Sequence, residues 1–509
     1  MRAAARAPKK LVLAVIDALS PEALDRAIDD DRAPVLGELV RRGDYARDCI
    51  STFPSLTPVA ASAITTGLGP DDHLIPSMNW YHRGEERYVE YGSSFPATRA
   101  FGVFRSLQDT VYNMNLAHLT QDHRTIFEQL DDAGLRTACT TYLIYRGRFR
   151  HDPAGESRYR RLAEAAQFRH AVWGPRELFY ADLFDSRRTG CSSTLGMPGQ
   201  RDRHAGCVGA QLVEHDLFDF LLLSLPDNDT HSHRAGPDAQ PTSIAAADRA
   251  LEQVFHAAGG VDEFLADHAV IVMSDHSQSR VEQPVNLSRH LGDWRVLEPS
   301  DSAPEEAELA VCPGARSAMV YVLDEAHRER MLPRLVRQLR GIEGVDLTAW
   351  REARPDGHGD EAVVVALGGE LRFAAADPSG AGERSPRRRP VRDQRGASWE
   401  LDGDLDVLDL AVDGGELAFG DYPDALGRLW SALHCPRGGD VLLSATPGYE
   451  FVDWGGSHHR DGGSHGSLHR CDSLGVLLTC GVDGLEPDRG QPHLRDVTPM
   501  IAGHFGLIS

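Results

Sequence analysis

Five short apolar runs, each ending in polar residues, constrain the fold of this chain more than any other feature. The runs cover residues 11–16, 137–145, 218–225, 269–273 and 441–444. Apolar runs of about four to eight residues are typical of strands covered on both faces, as in parallel sheets. Helical periodicity lies between the runs, at residues 157–167 and 243–258. Alternating strands and helices predict an α/β domain with a mostly parallel central sheet.

Residues 291–429 differ in character and are predicted to form an inserted cap or accessory region. Its predicted elements are a strand, a short helix and an exposed loop, at residues 318–323, 332–339 and 378–395. Pro333 would lie in the first turn of that helix, where proline is tolerated because its missing amide has no helical partner there. The catalytic core is then predicted to comprise the two flanking segments, residues 1–290 and 430–509.

Acidic residues and histidines follow three of the apolar runs directly. They are Asp17 after the first run, residues 226–233 after the third, and Asp275 with His276 after the fourth. Because the carboxyl ends of parallel strands meet at one edge of a sheet, these side chains are expected to lie close together. Segment 226–233 offers two pairs with the same spacing, Asp227 with His231 and Asp229 with His233. A single Asp after a strand more often caps a helix, so the prediction depends on the clusters together.

Buried carboxylates gathered at one edge would repel one another, which raises their pKa values and destabilises the fold unless cations are bound. Carboxylate and imidazole without thiolate are typical of zinc and also suit manganese or iron. The glycine-rich segment 455–467 adds further histidines, either as a flexible loop or as a source of a ligand. His465, between Ser464 and Gly466, is a better ligand candidate there than His458 or His459.

The segment from Thr57 to Gly67 has the sequence pattern of a helix, with Thr57 as its N-cap, Pro58 in its first position and Gly67 at its end. Capping alone would explain this threonine. The same position also points the hydroxyl at a helix N-terminus, where amide donors favour a phosphate. Thr57 is therefore a candidate nucleophile, since a bound metal lowers the pKa of a hydroxyl.

As a set, these segments resemble the nucleotide pyrophosphatase/phosphodiesterase family of the alkaline phosphatase superfamily. The matching pieces run in the family's order and are Asp17, Thr57 in Thr-x8-Thr-Gly, Asp229-x3-His233-x2-Gly236-Pro237, Ser274-Asp275-His276 and Ser464-His465-Gly466. The residues after His233 favour Asp229 with His233 over the shifted pair. The resemblance implies an alkaline-phosphatase-like three-layer sandwich with an inserted cap.

The resemblance also implies the roles of these residues. One zinc would be bound by Asp17, Asp275, His276 and the Thr57 oxygen, and the other by Asp229, His233 and His465. Thr57 would attack phosphorus to form a phospho- or nucleotidyl-threonine that water cleaves. Asn79 lies near where the family places an asparagine on the phosphate oxygen. The implied function is hydrolysis of phosphodiester or pyrophosphate bonds in a small-molecule or nucleotide substrate.

The same metal-binding residues are also compatible with other functions. A phosphomonoesterase would need a cation for the extra phosphate charge, which Arg234, Arg280 or the arginines of the cap could supply. A phosphonate hydrolase and a degenerate binding protein are further alternatives, whereas the formylglycine motif of sulfatases is missing around Thr57. The aromatic residues Phe53, Trp80 and Tyr81 could either sandwich a nucleobase or pack within the cap.

Charge and cysteine content limit the binding partners and the cellular location expected for the protein. A formal net charge of −23, from 53 Lys plus Arg against 76 Asp plus Glu, disfavours nucleic-acid and anionic-membrane surfaces. An anionic substrate must then be captured by local positive charge such as bound metal ions. The eight cysteines form no CxxC pair, so reduced thiols and a cytoplasmic location without a signal peptide are expected. The sequence does not predict an oligomeric state.

Overall fold

The first apolar run lies within an eight-stranded central sheet in the computed structural model, which describes residues 8–153, 170–300, 304–354, 359–366, 368–376, 389–482 and 490–507. In spatial order the strands are Asp44–Ile50, Leu474–Cys480, His268–Met273, Lys10–Ile16, Phe220–Leu225, Thr137–Cys139, Glu177–Tyr180 and Phe184–Asp185. The five strands from His268–Met273 to Glu177–Tyr180 are parallel. The other three strands are antiparallel to their neighbours; they are Asp44–Ile50 and Leu474–Cys480 at one edge and Phe184–Asp185 at the other. The predicted α/β fold with a mostly parallel central sheet is confirmed.

Helices cover both faces of this sheet, because side chains alternate between the faces along each buried strand. Leu11 and Leu13 belong to one core cluster, and Val12 and Ala14 belong to the other. Helices of the first cluster are Thr57–Thr66, Ile126–Asp132, Ala425–His434 and Val497–His504. Helices of the second are Pro21–Asp29, Pro34–Arg42, Arg201–Glu214, Gln240–His256 and Val261–Asp267. The core is therefore a three-layer sandwich.

Short elements complete the core. The shorter helices are Pro70–His73, Phe95–Phe101, Val103–Gln108, Asp227–Ala235, Leu287–His290 and Arg470–Ser473, and Asp109–His118 is a π-helix. The two-stranded ladders are Asn79–His82 with Arg87–Glu90, Phe149–His151 with Val172–Gly174, Ser279–Arg280 with Gly463–Ser464, and Gln283–Val285 with Tyr449–Phe451. The third of these ladders places the segment of His465 beside the segment that follows His276.

A second sheet of ten strands stands beside the core. Its order is Leu309–Gly314, Ser317–Val322, Val441–Ala445, Val345–Ala353, Asp360–Val365, Glu370–Ala375, Ser398–Gly403, Arg389–Arg392, Glu416–Phe419 and Leu410–Asp413. The prediction that run 441–444 joins the parallel sheet is wrong, because Val441–Ala445 has antiparallel neighbours on both sides here. A strand buried on both faces is apolar in either sheet, so its sequence does not show which sheet it joins. The division into core and inserted cap stays a prediction.

Other local predictions are corrected by the structure. The helix expected at 332–339 begins earlier, at Arg328, so Pro333 lies inside it and not in its first turn. The exposed loop expected near 378–395 includes the strand Arg389–Arg392, while residues 378–388 lie outside the described residues. The helix expected at 157–167 also lies outside them. The run at 137–145 forms a strand only as far as Cys139.

A buried ion pair joins the two sheets. Arg316 lies between two strands of the second sheet, and Asp472 precedes the central strand Leu474–Cys480. Their side chains are bonded to each other and are both fully buried. Arg316 also donates to the Tyr449 carbonyl, and Asp472 also accepts from the amide of Ser467. Each charge thus has an opposite charge and a further hydrogen-bond partner within the protein, as a stable buried ion pair requires.

One expectation about the cysteines is wrong. Cys191 and Cys207 form a disulfide bond, whereas the other six cysteines are free thiols. Their separation of 16 residues carries none of the spacing signals that identify a bridge from sequence. Disulfides persist mainly in oxidising compartments, so this bridge weighs against the expected cytoplasmic location. No helix in the described part of the chain is both long and apolar enough to cross a membrane.

Candidate active site

The carboxyl ends of three adjacent parallel strands position the acidic residues of the site. Ile16 is in register with Leu225, and Val15 with Met273. The segments that follow these strands therefore leave the sheet at the same edge. Asp17, Asp229 and Asp275 all line one cavity of about 590 Å³ at that edge.

A first cluster consists of Asp17, Asp275 and His276, whose ligand atoms all lie within 4.8 Å of one another. His276 Nε2 lies 3.6 Å from Asp17 Oδ1 and 3.3 Å from Asp275 Oδ2. The Thr57 hydroxyl oxygen lies 3.3 Å from the same nitrogen. The structure thus brings Thr57, the candidate nucleophile, to the cluster that the family resemblance implies for it.

A second cluster consists of Asp229, His276 and His465, within the same 4.8 Å limit. Asp229 Oδ1 lies 3.6 Å from His465 Nε2 and 3.2 Å from His233 Nε2. The rings of His276 and His465 are stacked with centroids 3.7 Å apart. His276 therefore belongs to both clusters, while His233 reaches the second one through Asp229. The predicted residues are together, but this division differs from the one that the family resemblance implied.

Backbone carbonyls orient the three imidazoles. Each Nδ1 lies within hydrogen-bonding distance of one carbonyl: His233 of Gly463 at 2.8 Å, His465 of Ser55 at 2.9 Å, and His276 of Ser277 at 3.2 Å. A neutral imidazole that donates from Nδ1 keeps its lone pair on Nε2. Since Nε2 is the atom nearest the carboxylates in each case, the rings have the orientation that metal-binding histidines adopt.

Burial and mutual repulsion raise the pKa of two of the carboxylates. The pKa of Asp17 lies well above its usual 3.8, first through burial and then through the charges of Asp275 and Asp229. Burial is also the main cause that raises the pKa of Asp275 to about 6. Burial favours a raised pKa for Asp229 too, but His233 and His465 outweigh it and hold that pKa below its usual value.

These observations fit a pair of divalent cations. Asp17 Oδ1 is buried and has no hydrogen-bond partner among the described residues. A buried carboxylate oxygen without a donor is costly unless a cation compensates it. The surrounding donors are carboxylates and imidazoles, the set that suits zinc, manganese or iron.

Thr57 is the first residue of the helix Thr57–Thr66 and Leu56 is its N-cap, so the prediction that Thr57 is the N-cap is wrong by one position. Pro58 follows in the first turn, and Gly67 ends the helix with a left-handed φ of 76°. Thr57 caps nothing here, because the helix has no side-chain cap hydrogen bond. Its hydroxyl is instead beside His276, as described above.

The structure distinguishes the two spacings in segment 226–233. The Asp227 carboxylate accepts hydrogen bonds from the amides of Gly199, Arg201 and Asp202 and from the Arg201 side chain. It is therefore engaged in holding the loop before helix Arg201–Glu214. Asp229, two residues further on, is the residue that faces the histidines.

The structure places Asn79 and three aromatic residues away from the cavity wall. Asn79 is not among the described residues that line the cavity, and its amide donates to the Val89 carbonyl and to Glu90. Phe53, Trp80 and Tyr81 are all buried in the core and likewise do not line it. Their burial supports packing within the protein, which is one of the two roles that the sequence left open for these aromatic rings.

The cavity wall also carries residues that sequence reasoning missed. Tyr142 has a buried hydroxyl without a partner among the described residues, and Arg201 stands at the start of a helix. His459, ranked below His465 from sequence, stacks on His233 and is bonded to buried Glu450. Nothing in the local sequence marks Tyr142 or Arg201, because their neighbours come from distant segments.

Comparison with known proteins agrees with this geometry. A sequence model of the family "Type I phosphodiesterase / nucleotide pyrophosphatase" matches residues 11–353, more than half of the chain. The chain belongs to this family. The family is a group of two-metal phosphoryl hydrolases within the alkaline phosphatase superfamily, and this member has two candidate groups of metal ligands. A search of curated proteins finds no match.

Solved structures share the fold at low sequence identity. Phosphonoacetate hydrolase from Sinorhizobium meliloti 1021, in complex with phosphonoacetate, is 16% identical with a TM-score of 0.55. Murine ectonucleotide pyrophosphatase / phosphodiesterase 5, as an inactive variant in complex with AMP, is 11% identical with a TM-score of 0.54. Each alignment covers 98% of this chain and 96% of the other. The family member described here therefore has the alkaline-phosphatase-like fold over its length.

Proposed function

We propose that this protein is a two-metal hydrolase of phosphodiester or pyrophosphate bonds that uses Thr57 as its nucleophile. The observation that carries the proposal is the position of the Thr57 hydroxyl, 3.3 Å from His276 Nε2 beside two carboxylate–imidazole clusters. A small-molecule diester or a nucleotide fits a cavity of about 590 Å³.

Asp17, Asp275, His276 and the Thr57 oxygen would hold one metal ion, and Asp229, His233 and His465 would hold the other. Two divalent cations, for which zinc is the first choice, would supply Lewis acidity and neutralise phosphoryl charge. Thr57 is presented on the N-terminus of a ten-residue helix, where backbone amides and the helix dipole favour phosphoryl oxygens.

In the proposed reaction Thr57 Oγ1 forms a bond to phosphorus, and the bond from phosphorus to the leaving oxygen breaks. The hydroxyl proton is released to solvent, and the leaving oxygen takes up a proton from solvent. Water then breaks the bond between phosphorus and Thr57 and regenerates the hydroxyl. The three histidines, whose rings are oriented by backbone carbonyls, keep the threonine and the carboxylates in fixed relative positions through both steps.

Substrate preference tests this proposal. We expect zinc-loaded protein, with about two metal ions per chain, to hydrolyse bis-p-nitrophenyl phosphate at least about tenfold faster than p-nitrophenyl phosphate, a difference within the usual range of substrate discrimination. A chelator should abolish the activity and added zinc should restore it. Preference for the monoester would instead favour a phosphomonoesterase.

A variant tests the ligand assignment separately from turnover. His465→Ala should lower the metal content from about two ions per chain to about one, because it removes a ligand of one site only. Metal analysis by mass spectrometry gives this ratio. His458→Ala is the matched control, since His458 is exposed and does not line the cavity. An unchanged ratio in His465→Ala would contradict the assignment.

A phosphonate hydrolase is the second candidate. The similarity in fold to a phosphonoacetate hydrolase, with a TM-score of 0.55, supports it. Release of acetate from phosphonoacetate by the zinc-loaded protein, faster than any diester cleavage, would favour this candidate over the first.

A further inference from the structure

One buried side chain outside the metal cavity contacts a residue of the second cluster. Gln278 is 4% exposed and does not line the cavity; it lines a separate groove together with Ser20, Ser277 and Cys471. Its amide nitrogen Nε2 donates to Asp229 Oδ1 and, at 3.4 Å, to the Asp229 carbonyl. Gln278 can therefore influence the site only through the residues that it contacts.

Gln278 lies where the segments that supply the ligands meet. It follows His276 by two residues and precedes the strand Ser279–Arg280, which pairs with the strand of Gly463. A Cβ atom at position 463 would lie 2.5 Å from Gln278 Oε1, so a side chain there would displace the amide. The Gly463 carbonyl is also the hydrogen-bond partner, at 2.8 Å, that orients His233.

Folding energy alone does not account for a glutamine at this position. Nε2 faces the Asp229 carboxylate, which accepts hydrogen bonds and cannot donate when ionised. Oε1 is then buried without a hydrogen-bond partner among the described residues, and a buried amide oxygen without a donor destabilises the fold. An apolar side chain of the same size would avoid this penalty, but it would leave Asp229 without the donor.

The donor is neutral, which suits a cation site. Among the described residues, Asp229 is the one carboxylate of the second cluster, so its negative charge is what this cluster offers to a cation. A lysine or arginine would cancel that charge, whereas an amide stabilises the ionised carboxylate and leaves the charge intact. Since a carboxylate oxygen has two lone pairs, Oδ1 can accept from Gln278 and still bind a cation.

The carboxylates of the first cluster are held differently. Asp275 Oδ1 accepts the backbone amides of Ala18 and His276, at 3.1 and 3.0 Å. Asp17 Oδ1 has no partner among the described residues. Gln278 donates to Asp229 and to neither of these two carboxylates. Removal of its amide should therefore affect one cluster and spare the other.

We propose that Gln278 is a positioning residue that holds the Asp229 carboxylate in place and thereby sets the cation affinity of the second cluster independently of the first. The proposal rests on the two cation sites of the proposed function, but not on the reaction assigned to them. Loss of a hydrogen-bond partner behind a metal ligand typically lowers metal affinity by about 10–100-fold.

Zinc affinities of matched variants test this proposal. Gln278→Met keeps the approximate size of the side chain and removes the donor. In a competition titration with a chromophoric chelator, it should weaken the binding of one zinc ion by about 10–100-fold and that of the other by less than about threefold. Gln338→Met is the control, because Gln338 also donates its amide to a carbonyl, that of His290, and does not line the cavity. It should leave both affinities within about threefold of wild type.

The His465→Ala background identifies the affected ion. Because that variant removes a ligand of the second cluster, adding Gln278→Met should change the affinity for the remaining ion by less than about threefold. Cobalt(II) gives a readout that a general loss of stability would not change. At saturating cobalt, Gln278→Met should alter the visible absorption bands, which depend on ligand geometry, and it should leave them unchanged in the His465→Ala background.

The outcomes separate this proposal from the proposed function. Equal losses for both zinc ions, no loss, or a further loss in the His465→Ala background would overturn the role of Gln278. A selective loss without turnover of any diester would retain that role and refute the hydrolase. Diester turnover by wild type, combined with equal zinc affinities in wild type and Gln278→Met, would retain the hydrolase and overturn the role of Gln278. A cooperative melting transition shows that the variant is folded.

Discussion

Replacing Thr57 with alanine should lower kcat for a diester substrate by about 10⁴-fold or more, the size of loss seen when a covalent nucleophile is removed. The reason is that the hydroxyl 3.3 Å from His276 Nε2 is the proposed attacking group. Fold and most of the metal should remain, since six of the seven proposed ligands are still present. Initial rates with bis-p-nitrophenyl phosphate, on metal-analysed protein, give the result.

The matched control for this prediction is Thr65→Ala. Thr65 lies on the same helix, and its hydroxyl donates to the Ala61 carbonyl inside the helix. It should retain activity within about threefold, because it changes only a local hydrogen bond worth about 1 kcal/mol. Near-wild-type turnover by Thr57→Ala would show that the covalent mechanism is wrong. Trapping of a phosphorylated Thr57 peptide after rapid quenching would support it directly.

The largest stability effect is expected from Asp472→Asn. This variant keeps the shape of the side chain but leaves Arg316 as a buried charge without its partner. Breaking a buried pair in this way costs about 3–5 kcal/mol, which is a large part of the stability of a typical protein. Urea denaturation of wild type and variant under the same metal conditions measures the difference.

Asp216→Asn is the control for this change. Asp216 pairs with Lys10 at the surface, where its side chain is 63% exposed, and surface pairs contribute about 1 kcal/mol or less. A loss below about 1 kcal/mol in Asp472→Asn would refute the role given to the buried pair.

The stabilisation by Asp472 should depend on pH in a defined direction. Burial favours a raised pKa for Asp472, but Arg316 and the hydrogen bonds from Ser467 and Ser279 outweigh it and lower the pKa below its usual 3.8. A carboxylate with a lowered pKa stabilises the fold at neutral pH and loses that contribution as the pH falls below about 4. The stabilities of wild type and Asp472→Asn should therefore converge in acid.

The sequence by itself determined the class of fold and most of the residues at the centre of the site. Apolar runs of limited length have few alternatives to buried parallel strands, and the residues that end such strands must meet at one edge. Asp17, Asp275 and His276 follow their strands within three residues, so their meeting depends only on local sequence and sheet order. The helix that carries Thr57 could also be predicted to within one residue, because Pro58 marks its start and Gly67 its end.

Only the tertiary structure decided which contacts fill the rest of the site. It placed Asp229, which the residues after His233 already favoured, beside the histidines, and it engaged Asp227 with the amides of a segment nearly thirty residues earlier. It turned Asn79 toward Glu90 and brought Arg201 to the cavity wall. It also bonded Cys191 to Cys207 and placed Val441–Ala445 in the second sheet. Each of these outcomes depends on partners distant in the chain, and local sequence patterns do not identify those partners.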